Sequence, residues 1–307
     1  MTASKAAPTA SVSRRGALAA LGLALPALAA GTATHGGQAD RIVVAGGVIT
    51  EVIYALGEQD RVVGVDSTSQ FPPQALQSKA DIGYVRAVSA EGVLSLKPSL
   101  VLLIDGAGPP DALALIAESG VRVARIPDGQ DAEGVAAKIV AIGDAIGAAE
   151  AARRLAARTS AGFRELEELR AGLTQRRRVL FVLSLQNGRA LVGGRNSSAD
   201  AIIALAGAEN AASGIEGYKP MTDEAIIAAA PEIVLMMSRG NHRTSAEELF
   251  ALPAFSQAPA AAQRRLVQMD GLYLLGFGPR TPLAARDLMA AIDPDRTLPP
   301  LTTGGAP

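Results

Sequence analysis

The chain of 307 residues has no cysteine, no tryptophan and only two histidines. Without cysteine, structural disulfides and thiolate metal sites are excluded outright. His35 and His242 do not form the clustered histidines that a zinc or manganese carrier needs. Aromatic residues make up 3% of the chain against 49% hydrophobic, so aliphatic side chains and alanine must fill the core. The length suffices for two domains or one large one. The formal charge of −1 includes Lys5, Arg14 and Arg15, with no acid before Asp40. Setting those three aside leaves 26 basic against 30 acidic residues, a poor footprint for nucleic acid. Enzymatic signatures are also missing. There is no Gly-x-Ser-x-Gly elbow, and Ser184 and Ser238 have no evident histidine partner. Gly193-Gly194-Arg195-Asn196 lacks the Gly-Lys-Ser/Thr ending of a phosphate loop. The chain is expected not to be an enzyme.

What is present begins with an export pattern. Lys5, Arg14 and Arg15 precede an apolar run, 16–28, that is too short to span a bilayer. Ala27-Leu28-Ala29 offers an A-x-A cleavage site. Ser13-Arg14-Arg15-Gly16-Ala17-Leu18 resembles a twin-arginine signal, with Ala17 where that signal prefers an aromatic. Residues 1–39 are thus expected to be an export signal and linker, by the Sec or the twin-arginine route, to the periplasm. An N-terminal anchor or an ordinary buried helix stands as the alternative on length alone.

One unit occurs twice. Asp81-Ile-Gly-Tyr84-Val-Arg86 leads to Ser89-Ala-Glu91, an apolar helix, Pro98 and an apolar strand. Thr222-Asp-Glu224 leads in the same way through a helix to Pro231 and a second strand, and each glutamate lies seven residues before its proline. Strands are expected at 42–45, 61–65, 100–104 and 122–126, with helices at 50–56, 90–96 and 111–119, Thr50 serving as N-cap of the first. A second set is expected at 179–183, 198–205, 223–229 and 233–237, with 186–194 as a loop. Between them 150–173 could be one helix of about 36 Å. The fold class is therefore α/β, with two doubly wound lobes joined by a long α-helix. The expected divisions are a lobe at 40–145, a connecting helix at 146–177, a lobe at 178–292 and a disordered tail at 293–307.

These features resemble the cluster A (class III) periplasmic substrate-binding proteins of ABC importers. Within that class, Gly83-Tyr84-Val85-Arg86, Gly217-Tyr218-Lys219-Pro220 and Leu275-Gly-Phe-Gly-Pro-Arg280 resemble the bacterial haemin-binding proteins. The resemblance spans roughly residues 40–292. It implies ferric haem b as the transported ligand, and a permease dimer with its ATPase subunits as partner. An outer-membrane haem receptor system would lie upstream. A siderophore or corrinoid carrier is the alternative within the family.

The resemblance makes Tyr84 the axial ligand of the haem iron, and the chemistry agrees. An anionic phenolate suits hard ferric iron, and tyrosine is a known haem ligand. Arg86 stands where it could hydrogen-bond the phenolate or a propionate. The plain alternative is a half-buried tyrosine capping the core. One subgroup of the family adds a histidine from the second lobe, in the loop that here reads Gln186-Asn187-Gly188-Arg189 and has none. Tyrosine-only ligation follows. Arg239 could face the cleft and pair with Tyr84 or a propionate, or be a solvated loop arginine. Glu91 and Glu224 complement helix N-termini capped by Ser89 and Thr222, and the resemblance makes them permease-docking acids as well.

Overall fold

The computed structural model describes residues 40–186, 189–238 and 244–302. The chain opens with β1 (Ile42–Ala45), α1 (Gly47–Ala55) and β2 (Val62–Val65), followed by the short α2 (Gln74–Ser78). Three two-residue strands follow, β3 (Ala80–Asp81), β4 (Gly83–Tyr84) and β5 (Ala87–Val88). α3 (Ala90–Ser95), β6 (Leu100–Ile104), α4 (Pro110–Glu118) and β7 (Arg122–Ile126) complete the first half. Its main sheet runs β3-β2-β1-β6-β7 with every pairing parallel. β1 and β6 are buried at each position, as strands covered on both faces must be.

α1 begins three residues before the expected start, so Thr50 lies inside the helix instead of capping it. The cap comes from the end of β2. Asp66, fully buried, accepts the Gly46 N–H at 2.7 Å, while the Thr50 hydroxyl meets Ser69 Oγ at 2.8 Å. Ser89 and Thr222 do cap their helices, accepting from Gly92 N at 3.0 Å and Ala225 N at 3.3 Å.

Two antiparallel helices, α5 (Ala132–Ile146) and α6 (Ala149–Ala171), lead to the second half. The 23 residues of α6 span about 34 Å, and Ala152, Leu155, Thr159, Phe163 and Leu166 form its buried stripe. The second half comprises β8 (Arg178–Gln186), β9 (Arg189–Gly193), α7 (Ser198–Leu205), β10 (Glu209–Asn210), β11 (Tyr218–Met221), α8 (Asp223–Ala229) and β12 (Ile233–Ser238). After these come α9 (Ala246–Phe250), α10 (Pro253–Ser256), α11 (Pro259–Ala262), β13 (Leu266–Asp270), α12 (Gly271–Leu275) and α13 (Thr281–Ile292). The sheet order is β11-β9-β8-β12-β13, with β10 beside β8.

Here the expected loop is largely a strand. β9 folds back antiparallel on β8, and β11 adds antiparallel to β9, while β8, β12 and β13 run parallel. Ala190 and Val192 are buried and Arg189 is exposed, the alternation of a strand with one wet face. Pro220 is tolerated because β11 is the edge strand.

One apolar core joins the halves. Ile49 and Ile53 of α1 belong to the same cluster as Phe181, Ile202, Leu235, Leu274 and Leu288. Among the described residues no helix is long and apolar enough to cross a membrane. The segment expected to be a disordered tail is packed as far as residue 302. Leu298 and Leu301 are buried, Arg286 donates to the Leu298 and Pro299 carbonyls, and Thr302 bonds Glu165. Proline-rich composition suggests disorder, but the burial of two leucines and the bonds to Arg286 and Glu165 outweigh it. Ending the chain after Asp293 should lower unfolding stability by about 2–4 kcal/mol, read from the denaturant midpoint. An unchanged midpoint would make the segment a mere appendage.

Candidate functional site

Tyr84 sits on a hairpin built to hold it out. β4 and β5 pair antiparallel, Tyr84 facing Ala87 across the ladder, so Val85 and Arg86 form a two-residue turn. Gly83 has φ +93°, and a Cβ there would lie 3.1 Å from the Ala87 carbonyl oxygen. The glycine is required by the backbone of β4 in this hairpin, a local reason that precedes any question of ligand approach. The hairpin is tied down on both sides. Gly83 N donates to Asp81 at 2.8 Å, the Gly83 carbonyl accepts from Ser67 N at 2.8 Å, and Gly108 N donates to the Val85 carbonyl at 3.0 Å.

The result is a tyrosine that remains 47% exposed and belongs to none of the three core clusters. Among the described residues nothing hydrogen-bonds the Tyr84 hydroxyl, and nothing pairs with the exposed Arg86 guanidinium. Both side chains line one cleft of about 510 Å³. Its near rim also carries Ser67, Thr68 and Gln70. Leu183, Leu191 and Met237 come from the second sheet, and α12 supplies Leu272 and Leu275 as an apolar floor.

Tyr218 lines the same cleft from the opposite wall, in a different state. Its hydroxyl lies 2.7 Å from Ser198 Oγ and accepts from Ala199 N at 3.3 Å. Its ring meets Phe181 edge-on, with centroids 6.3 Å apart. Of the two phenols in the cleft, Tyr84 alone is unengaged among the described residues. No group of three or more His, Asp or Glu side chains that could hold a bare metal ion occurs among the described residues. Among the described residues the cleft therefore offers an apolar slot, one unengaged phenol and one neighbouring cation.

Arg239 lies outside the described residues, as do His35, His242, Asn187 and Gly188. Glu91 and Glu224 stand exposed in the first turns of α3 and α8, away from the cleft lining. Its own backbone N–H and the Thr222 hydroxyl hold the Glu224 carboxyl below the usual carboxylate range. Glu224 also borders a second cavity of about 540 Å³ with Arg189, Leu252 and Phe255.

Residues 42–272 match the family model described as periplasmic binding protein. The periplasmic heme-binding protein RhuT from Roseiflexus sp. RS-1, solved in apo form, is similar, with 39% identity and a TM-score of 0.78. That match covers 83% of this chain and 98% of that one. An ABC transporter substrate-binding lipoprotein, YvrC of Bacillus subtilis (strain 168), is 26% identical over 249 residues, covering 80% of this chain and 77% of that protein. A vitamin B12-binding protein of Vibrio campbellii (strain ATCC BAA-1116) is 26% identical over 230 residues, covering 74% and 80%.

Replacing Gly83 with alanine should strain the hairpin by roughly 1–3 kcal/mol. Amide exchange at Val88 and Gly108, whose bonds anchor the hairpin, should accelerate while β6 stays protected. Equal exchange at both amides in the variant would refute the conformational role of Gly83.

Proposed function

We propose a haem-carrying role from one premise: the chain belongs to the periplasmic binding protein family. Such a protein binds a solute outside the cytoplasm and presents it to an importer. The solute is ferric haem, and Tyr84 is its axial ligand. The observation that carries this reading is the exposed Tyr84 phenol, without a partner among the described residues, on a tied-down hairpin at the rim of an apolar cleft.

A free phenol has a pKa near 10, so binding as phenolate at neutral pH needs help. Bound ferric iron supplies most of that help through its own charge. Arg86 adds a cation two residues away, able to hydrogen-bond the phenolate or a haem propionate. The macrocycle's apolar surface rests on Leu183, Leu191, Leu272 and Leu275, while Ser67 and Gln70 on the rim suit propionates. Because the loop at 186–189 carries no histidine, the iron is five-coordinate with Tyr84 as sole protein ligand. Arg239, immediately after β12, is a second cation for the Tyr84 oxygen or a propionate.

Delivery involves an ABC permease dimer and its ATPase subunits, with an outer-membrane haem receptor system upstream. Residues 1–39 direct export to the periplasm by Sec or the twin-arginine route. Glu91 and Glu224 meet basic residues, one on each permease subunit. Exposed ion pairs are worth only about 0–1 kcal/mol each, so they set orientation and encounter rate more than affinity.

The competing reading is a corrinoid carrier, favoured by the vitamin B12-binding relative. Titrating the purified protein with haemin and, separately, with cobalamin decides between them. Haemin should produce a Soret band and a phenolate-to-iron charge-transfer band, and cobalamin should not bind. Tyr84→Phe should keep the fold, lose the charge-transfer band and weaken binding severely, with Arg86→Ala milder. An unchanged haemin spectrum in Tyr84→Phe sinks the assignment. For docking, the double variant Glu91→Ala/Glu224→Ala should keep its haem spectrum while uptake into permease vesicles falls further than in either single variant. Normal uptake by the double variant would leave the two glutamates as helix caps.

A further inference from the structure

Below the cleft floor, the two halves meet through a group of residues that ligand binding does not explain. Glu51 of α1 is 5% exposed, yet it faces a guanidinium from 229 residues further along the chain. Arg280 donates from Nε to Glu51 Oε1 at 2.9 Å and from Nη2 to Oε2 at 2.8 Å, a two-pronged pair. The same guanidinium lies 3.5 Å from the Phe71 ring centroid and 5.1 Å from that of Tyr273. Phe71 directly follows Gln70 of the cleft rim, and Tyr273 belongs to the floor helix α12. Arg280 thus touches the elements that form two sides of the slot.

The surrounding backbone is shaped to bring them together. A Cβ on Gly278 would come within 2.9 Å of Val48 Cγ2 and 3.4 Å of Glu51 Oε1, so only glycine lets this segment approach α1. Lys138 of α5, with no exposed surface, ties in the adjacent residue. Its ammonium donates to the Phe277 carbonyl at 3.1 Å and pairs with Asp128.

We propose that Glu51 and Arg280 are positioning residues for the cleft, setting the spacing between the Tyr84 rim and the α12 floor. The inference rests on the cleft being the ligand site. Two N–H···O bonds resist rotation as well as separation, and the Phe71 and Tyr273 rings beside the guanidinium restrain it further. Lysine cannot reproduce the fork. Buried pairs of this kind are weak devices for stability, since apolar residues of similar size often replace them at no loss. Their fixed geometry is what apolar residues do not reproduce.

Because the chain lacks cysteine, Glu118→Cys and Ala251→Cys introduce the only two thiols, one exposed on each half. Spin labels there report the distance between halves without any ligand. The distance distribution should be narrow in the parent and at least about twofold broader in Arg280→Lys and Glu51→Gln. Glu51→Met/Arg280→Met should recover thermal stability but stay broad. In the same variants haemin should dissociate roughly tenfold faster, with a mixed rather than single charge-transfer band. A parent-like narrow distribution in the double methionine variant overturns the proposal and leaves the pair as packing. If haemin binds none of these proteins, the ligand assignment fails while the distance measurement still decides the positioning role.

Discussion

Ile49 and Ile53 of α1 pack in one cluster with Ile202 of α7, Leu274 of α12 and Leu288 of α13. The two sheets therefore share one large cluster, while each half also has a smaller cluster of its own. Separating the halves would expose that cluster, at a cost proportional to the apolar area uncovered. Hinge proteins with thin connections face no comparable penalty. α6 runs along the same cluster through Leu155, Phe163 and Leu166, and the segment through residue 302 is strapped to it by the Glu165–Thr302 and Arg296–Gly172 bonds. The cleft lies above a joint that is apolar, continuous and braced from outside.

Much of this architecture is legible in the sequence where local chemistry decides it. β6, β7, α7 and α8 match their expected bounds to the residue because prolines, glycines or Ser/Thr caps mark their ends. The misses share a cause. The start of α1 depends on Asp66, twenty positions away. β9 has a short buried alternation that is overshadowed by its neighbouring glycines and polar residues. The packing of Leu298 and Leu301 depends on Arg286 and on α6, which composition does not reveal. Local patterns carry local structure; long-range partners do not announce themselves.

The site divides in the same way. Tyr84 and Arg86 stand out through the family resemblance of Gly83-Tyr84-Val85-Arg86, while the projecting hairpin that holds them appears only in the fold. Tyr218 appears in a motif, but its bond to Ser198 joins residues twenty apart, and only the fold shows that its phenol is occupied. Arg280 ends the Leu275–Arg280 motif, and its contacts become visible only when Glu51 and Phe71 are placed beside it. Two tyrosines in one cleft thus differ in chemistry through their neighbours, not their identity.

The shared core also bears on unloading. A carrier that clamps shut can use reopening to expel its cargo, so part of the energy for release is held in its own conformational equilibrium. A cleft on a continuous core has little such equilibrium to draw on. Whatever removes the cargo must offer a better resting place or force the rim apart, and the importer is the component able to do that work. A cleft preformed on a continuous core leaves the control of discharge with the importer rather than with the carrier.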